Sequence, residues 1–218
     1  MNCKAALFDM DGTLLHSEYV AIPAYKAAFI ELQQAGIYSG PVPAEEKLLA
    51  QLGKTLDKIW EELLPDSTRQ VRYKADEIML KKEIELIKDG KSVFYPGVKE
   101  TLTDLKKHGY DIFVVSNGLE DYIAALVEYS GFKDLFTDLY SAGRFKTKTK
   151  GDLVKKLLQD YPFYNKIYMI GDRSSDIESG RLNNLTTVGC LFGYGSLNEL
   201  RDADYLVESF EAIKTLLL

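Results

Sequence analysis

Ala6-Leu7-Phe8-Asp9-Met10-Asp11-Gly12-Thr13-Leu14-Leu15 decides how this chain is read. An apolar run from Ala5 to Phe8 stops at two carboxylates one residue apart, passes through Gly-Thr and turns apolar again. The pattern describes a buried strand that delivers charge at its end. In an open parallel sheet the carboxyl ends of the strands border the ligand crevice, so Asp9 and Asp11 are expected at its rim. Burying two carboxylates without partners is costly, and the pair calls for a cation, a hydrogen-bond network or a shared proton. A metal site meets that need. An acidic turn would use the same residues. An EF-hand loop would not, because Val20 stands where that loop's closing Glu belongs.

The 218 residues suffice for one sizeable core, or for a core with a smaller insertion. With 46% hydrophobic and 28% charged residues, the composition fits neither a disordered nor a membrane class. A net charge of −6 offers no broad basic field for a nucleic-acid backbone, so no nucleic-acid partner is expected, and a small anionic substrate would need locally concentrated positive charge. Cys3 and Cys190 are too few for a disulfide framework or a structural zinc site. With no signal-peptide core ahead of Asp9 and no apolar run of about 18 residues, a cytoplasmic protein without membrane attachment is expected.

After Leu15 the periodicity becomes helical. Tyr25, Ala28, Phe29 and Leu32 fall at i, i+3, i+4, i+7, and Leu56, Ile59, Trp60 and Leu63 repeat the spacing. Ser67 with Gln70 has capping-box form and opens a helix expected to bury Leu80, Ile84 and Ile87, which Asp89-Gly90 ends. Residues 16–91 therefore read as an all-helical insertion, and its apolar stripes, Trp60 included, as core packing. Lys54, on the loop Leu52-Gly53-Lys54-Thr55, is either solvated surface or a cation facing the crevice.

From Tyr95 an α/β rhythm returns. Ile112-Phe113-Val114-Val115 is an apolar strand ending in Ser116-Asn117-Gly118, and Ile167-Tyr168-Met169-Ile170 ends in Gly171-Asp172-Arg173-Ser174-Ser175-Asp176. Between them a loop carries Arg144, Lys146, Lys148 and Lys150 ahead of a helix with Leu153, Val154, Leu157 and Leu158 on its inner face. Thr186–Leu191 and Tyr205–Val207 are further strands. Gly193-Tyr194-Gly195 lacks the spacing of a dinucleotide-binding fingerprint, and Ser196 with Glu199 forms a capping box.

Phe8-Asp9-Met10-Asp11-Gly12-Thr13-Leu14 resembles the first motif of the haloacid dehalogenase superfamily, most of whose members are phosphatases. Ser116 and Asn117, a lysine, and Asp172 with Asp176 then match its remaining motifs in order, across essentially the whole chain. The resemblance is strongest to the helical-cap phosphatases of the phosphoglycolate phosphatase-like kind. It implies an α/β fold: a Rossmann-like parallel sheet flanked by helices in a core domain of residues 1–15 and 92–218, with a helical cap of residues 16–91 inserted. It further implies Asp9 as nucleophile, and Mg²⁺ held by Asp9, the main-chain carbonyl of Asp11 and Asp172, with Asp176 holding waters or the lysine. Ser116 and Asn117 would grip the phosphoryl group, or cap a helix, or both. Asp11, two residues on along an extended chain, is placed to protonate the leaving oxygen and later to activate water.

The lysine departs from the commoner pattern, in which a proline follows it. Lys150-Gly151-Asp152-Leu153 resembles the Lys-Gly-acid-aliphatic version, which favours Lys150 over Lys148 and leaves Lys146 and Arg144 as solvated. His16, where the family often has an acid, is taken as a hinge residue. The expected reaction is hydrolysis of a small phosphorylated metabolite by a monomer or homodimer. The alternatives are a sugar phosphomutase on the same scaffold and a non-catalytic phospho-acceptor module. Substrate choice is expected from the insertion, closing on hinges near residues 15–18 and 88–95, with Lys54 as its candidate substrate contact.

Overall fold

The structure is a computed structural model that describes residues 3–218. From the amino terminus, strand β1 (Lys4–Phe8) precedes helices α1 (Glu18–Gln34), α2 (Glu45–Leu49), α3 (Leu56–Leu63) and α4 (Arg69–Lys88). There follow α5 (Val98–Lys107), β2 (Tyr110–Ser116), α6 (Glu120–Tyr129), β3 (Asp138–Ser141), α7 (Ala142–Phe145), α8 (Lys150–Asp160) and β4 (Lys166–Gly171). The chain ends with α9 (Ser174–Leu182), β5 (Thr186–Cys190), α10 (Leu197–Leu200), β6 (Tyr205–Val207) and α11 (Phe210–Leu217). Two compact units result: one takes in the chain up to His16 together with Phe94–Leu218, the other is Ser17–Val93.

In the first unit, the six strands among the described residues form one parallel sheet in the order β3-β2-β1-β4-β5-β6. This is a Rossmann-like order. The chain builds outward from β1 to β3, then returns to lay β4 on the other side of β1, so the order reverses between β1 and β4. The central strands are short apolar runs without alternation, because helices cover both sheet faces. Ala5 and Leu7 share one face with Phe113, Val115 and Met169, and pack against Leu153, Val154 and Leu157 of α8. Phe8 points the other way, onto Phe210 of α11, with ring centroids 5.7 Å apart. The alternation of adjacent side chains thus feeds two cores from one strand. Tyr95 N–H donates to the Leu14 carbonyl at 3.0 Å, and Leu15 bridges to Phe94, so the two connections at the limits of this unit run paired.

The second unit holds α1–α4. As expected, Tyr25, Ala28, Phe29 and Leu32 of α1 are buried, as are Ile59, Trp60 and Leu63 of α3. The Trp60 ring meets Tyr25 edge-on at 5.8 Å, and its indole N–H donates to Asp76 of α4 at 3.1 Å, which supplies the hydrogen bond a buried indole requires. Two expectations about α4 fail. Its N-cap is Thr68, whose hydroxyl accepts the Val71 N–H, so the Ser67 box does not form. Its most buried stripe is Ala75, Met79, Glu83 and Ile87, one residue round from Leu80 and Ile84. The strict i, i+4 line puts a glutamate among the buried residues, which an apolar-pattern search passes over.

β5 and the turn before β6 are joined by a reciprocal clamp. Asp204 Oδ2 accepts the Thr187 N–H at 2.7 Å and its hydroxyl at 2.8 Å, while the Thr187 hydroxyl oxygen accepts the Asp204 N–H at 2.9 Å. The Thr187 backbone amide, and then its hydroxyl, hold the Asp204 carboxyl below its ordinary range. With the folded value depressed, the clamp stabilises fully above about pH 4 and fades as pH falls through the folded value. Asp204→Ala should lower the urea midpoint at pH 7, and the gap from wild type should close toward pH 3. A gap of equal size at both pH values would show that the charged carboxylate contributes nothing.

Candidate active site

The turn after β1 is wound around one carbonyl. Met10 O accepts from Leu14 N at 2.9 Å and Leu15 N at 3.0 Å, and Gly12 N donates to Leu15 O at 2.9 Å. Gly12 makes this possible with φ +80°, a left-handed conformation that a side chain would strain. It also leaves space, since a Cβ there would sit 2.4 Å from Asp172 Oδ2. Asp9 is thereby fixed at the end of β1, its N–H on the Ile170 carbonyl of β4 at 2.9 Å.

Asp172 follows β4 directly, fully buried. Its Oδ1 accepts the Thr13 hydroxyl at 3.1 Å and its Oδ2 accepts the Tyr194 N–H at 2.8 Å. The loop that brings Tyr194 lies so close that a Cβ on Gly195 would fall 1.8 Å from the Asp172 carbonyl oxygen, and one on Gly193 2.3 Å from Asp172 Cβ. Asp176 caps α9: its Oδ2 takes the Arg173 N–H at 2.9 Å and its Oδ1 takes the Lys150 ammonium. Gly171 admits it, since a Cβ at that position would lie 2.2 Å from the Asp176 carboxyl carbon.

Lys150 is the first residue of α8. Thr149 begins the helix, its hydroxyl oxygen accepting the Asp152 N–H at 3.1 Å, and Gly151 presents its carbonyl to Asn183 Nδ2 of the α9 end at 3.1 Å. The lysine is thus buried, with Nζ 2.9 Å from Asp9 Oδ1 and also against Asp176.

Asp9, Asp172 and Asp176 offer carboxylate oxygens all within 4.8 Å of one another, and each is buried. Burial foremost, then Asp176, pushes the Asp9 carboxyl well up, against the opposing pull of Lys150; burial and Asp176 likewise push Asp172 up. Burial alone would push Lys150 down, but Asp176 and Asp9 hold it above its ordinary value. With all three carboxylates ionised, one ammonium would leave two negative charges in excess, which together with burial pushes the Asp9 and Asp172 carboxyls up, and Asp9 Oδ2 is buried with no hydrogen-bond partner. The donor set is all hard oxygen, so the cluster suits a divalent cation of the magnesium or calcium type.

The structure therefore brings Asp9, Asp172, Asp176 and Lys150 together. Asp11, half-buried, accepts the Tyr122 hydroxyl at 2.8 Å. Ser116, buried at the end of β2, accepts the Gly118 N–H on its hydroxyl at 3.1 Å. Neither Ser116 nor Asn117 caps α6, whose N-cap is Leu119. Lys146 and Lys148 are exposed. Arg144 is exposed as well, and donates to Asp138 Oδ1 and the Leu139 carbonyl, both at 2.7 Å. Lys54 belongs to the helical unit, where it donates to both Glu62 carboxylate oxygens at 2.7 and 2.9 Å and to Gln51 Oε1 at 3.2 Å. His16 lies against the Tyr95 ring, centroids 3.7 Å apart. Sequence reasoning missed Thr13, Tyr122 and the Gly193–Gly195 loop. The glycine pair was visible, but was weighed only for dinucleotide spacing. Tyr122 carried no signal beyond its place beside Ile123 on an apolar helix face.

The model of the family described as haloacid dehalogenase-like hydrolase matches residues 6–190. A phosphoglycolate phosphatase of Vibrio parahaemolyticus is 25% identical, with 96% of this chain and 94% of that protein covered. The pyrophosphatase PpaX of Listeria monocytogenes is 26% identical over 84% of this chain and 81% of its own. In fold, a predicted phosphoglycolate phosphatase from Haemophilus somnus superposes with a TM-score of 0.86 at 21% identity, covering 100% of this chain and 99% of that one. With the carboxylate cluster lying at the sheet's reversal point and the family model spanning most of the sequence, this chain belongs to the haloacid dehalogenase-like hydrolase family.

Proposed function

We propose that this hydrolase is a Mg²⁺-dependent phosphatase that cleaves a small phosphorylated metabolite of the phosphoglycolate kind through an aspartyl-phosphate on Asp9. The observation that carries the reading is the asymmetry of Asp9: Oδ1 rests on Lys150, while Oδ2 is buried with no hydrogen-bond partner. A carboxylate held in that way has one oxygen oriented and the other available for in-line attack on phosphorus. Relatives named phosphoglycolate phosphatase, similar along nearly their whole length, support the substrate class.

Asp9 attacks the phosphorus as the bond to the leaving oxygen breaks, and Asp11 gives that oxygen its proton. Asp11 then takes a proton from the water that hydrolyses the aspartyl-phosphate. Lys150 neutralises charge between Asp9 and the incoming phosphoryl group, and Asp176, with both oxygens engaged, orients it. The Ser116 hydroxyl accepts the Gly118 N–H and so keeps its own proton for a phosphoryl oxygen, with Asn117 beside it. Asp9, Asp172 and the main-chain carbonyl of Asp11 would hold Mg²⁺, with Asp176 adjacent; when bound, the ion offsets the excess negative charge and polarises the phosphoryl group.

These groups grip what every phosphate ester shares, so discrimination is assigned to the helical unit acting as a cap. There Lys54 would meet an anionic leaving group by exchanging Glu62 for it.

Phosphate release from a panel of metabolite monoesters and pyrophosphate should stop with a chelator and return with Mg²⁺. Lys54→Ala should alter the ranking within that panel, and an unchanged ranking with unchanged KM values removes Lys54 from substrate selection. Asp9→Asn should keep the fold and lose at least about a hundredfold in kcat, as expected for a nucleophile. Lys150→Ala should cost roughly tenfold to a hundredfold, the worth of a charge-assisted hydrogen bond at about 1.5–3 kcal/mol. Lys148→Ala and Lys146→Ala should leave kcat nearly unchanged. A sensitive Lys148 would overturn the choice of lysine.

A further inference from the structure

Resting on that reaction, we infer that Tyr122 is a positioning residue for the acid–base carboxyl of Asp11. Tyr122 is the third residue of α6, buried to 5% exposure, and its hydroxyl donates to Asp11 Oδ1 at 2.8 Å across a sequence separation of 111 residues. The space for its ring is made at Gly118, where a Cβ would meet Tyr122 Cδ1 at 3.2 Å and Ser116 Oγ at 3.4 Å. The same short segment therefore carries Ser116, Asn117 and the side chain that reaches Asp11. A buried tyrosine needs an acceptor for its hydroxyl. Here the acceptor is the carboxyl on which both proton transfers turn.

The geometry suits a group that must be an acid in one half of the cycle and a base in the other. When Asp11 is protonated on Oδ2, Oδ1 is a carbonyl oxygen and accepts from Tyr122; when Asp11 is ionised, Oδ1 accepts again. The Tyr122 hydrogen bond is thus made in both charge states and helps to hold the carboxyl in one orientation through the cycle. As the bond from phosphorus to the leaving oxygen breaks, its electron pair stays on that oxygen, and the Oδ2 proton neutralises it. Without the tyrosine hydroxyl the carboxyl is freer to rotate, and misplacement of a reacting group by about 1 Å can cost on the order of a hundredfold.

Tyr122→Phe removes only the hydroxyl. The ratio kcat/KM reports steps up to transfer onto Asp9, so its response to the leaving group isolates the acid role. For an alkyl phosphate such as glycerol 3-phosphate it should fall roughly tenfold or more, general acid catalysis being worth about 10²–10⁴. For p-nitrophenyl phosphate, whose leaving group departs without a proton, it should change by less than about twofold. In an Asp11→Ala background, Tyr122→Phe should have no further effect on the alkyl ester. An equal loss on both esters, accompanied by a lowered Tm, would make Tyr122 a packing residue and overturn the inference; so would no loss on either. Wild-type protein that turns over no ester is a separate failure, since it removes the proposed reaction and this inference together.

Discussion

The Lys150 ammonium, buried against Asp9 and Asp176, is the contact around which the core unit is arranged. Such a charge survives burial only when carboxylates compensate it, and the carboxylates survive only with donors of their own. Asp176 spends its second oxygen on the Arg173 N–H at the start of α9, so the same side chain that anchors the lysine also starts the helix. α8 and α9 are joined again through Asn183, which donates to the Gly151 and Ser179 carbonyls. The lysine is thus placed by two helices and a strand end, not by its own flexible stem.

The second constraint is steric. Asp172 is surrounded so closely by backbone that three positions around it, Gly12, Gly193 and Gly195, have no room for a Cβ. Each close approach lets a main-chain or hydroxyl donor reach the carboxylate without water between. Such preorganisation leaves a buried cluster with excess negative charge, balanced by one ammonium and suited to a divalent cation.

The division of labour proposed for the two units follows from chemistry. Phosphoryl transfer needs a fixed nucleophile, charge compensation and a timed proton, and the groups proposed for each lie in the α/β unit. The helical unit is organised on a different basis: an aromatic core around Trp60 tied by Asp76, and a half-buried lysine paired with glutamate.

How much was legible in the sequence follows the range of the interactions. Apolar runs ended by Asp9, Ser116 and Asp172 announced strands, because burial on both faces writes itself into consecutive residues. Helical stripes such as Tyr25 to Leu32 were readable because their period is local. The strand-end positions of Asp9, Ser116 and Asp172 were legible from those runs, while Lys150 was chosen over Lys148 by its likeness to the Lys-Gly-acid-aliphatic version, and it lies at the first position of α8 beside Asp9 and Asp176. Only the tertiary structure decided the rest. The start of α4 passed from Ser67 to Thr68, where two neighbours compete for one cap, and its buried stripe shifted to include Glu83. Gly193 and Gly195 acquired their purpose from Asp172, about twenty residues away, and Tyr122 met Asp11 across 111. No local pattern encodes such meetings, since they depend on which strand ends the sheet order makes neighbours, and that order is set by the packing of the whole unit.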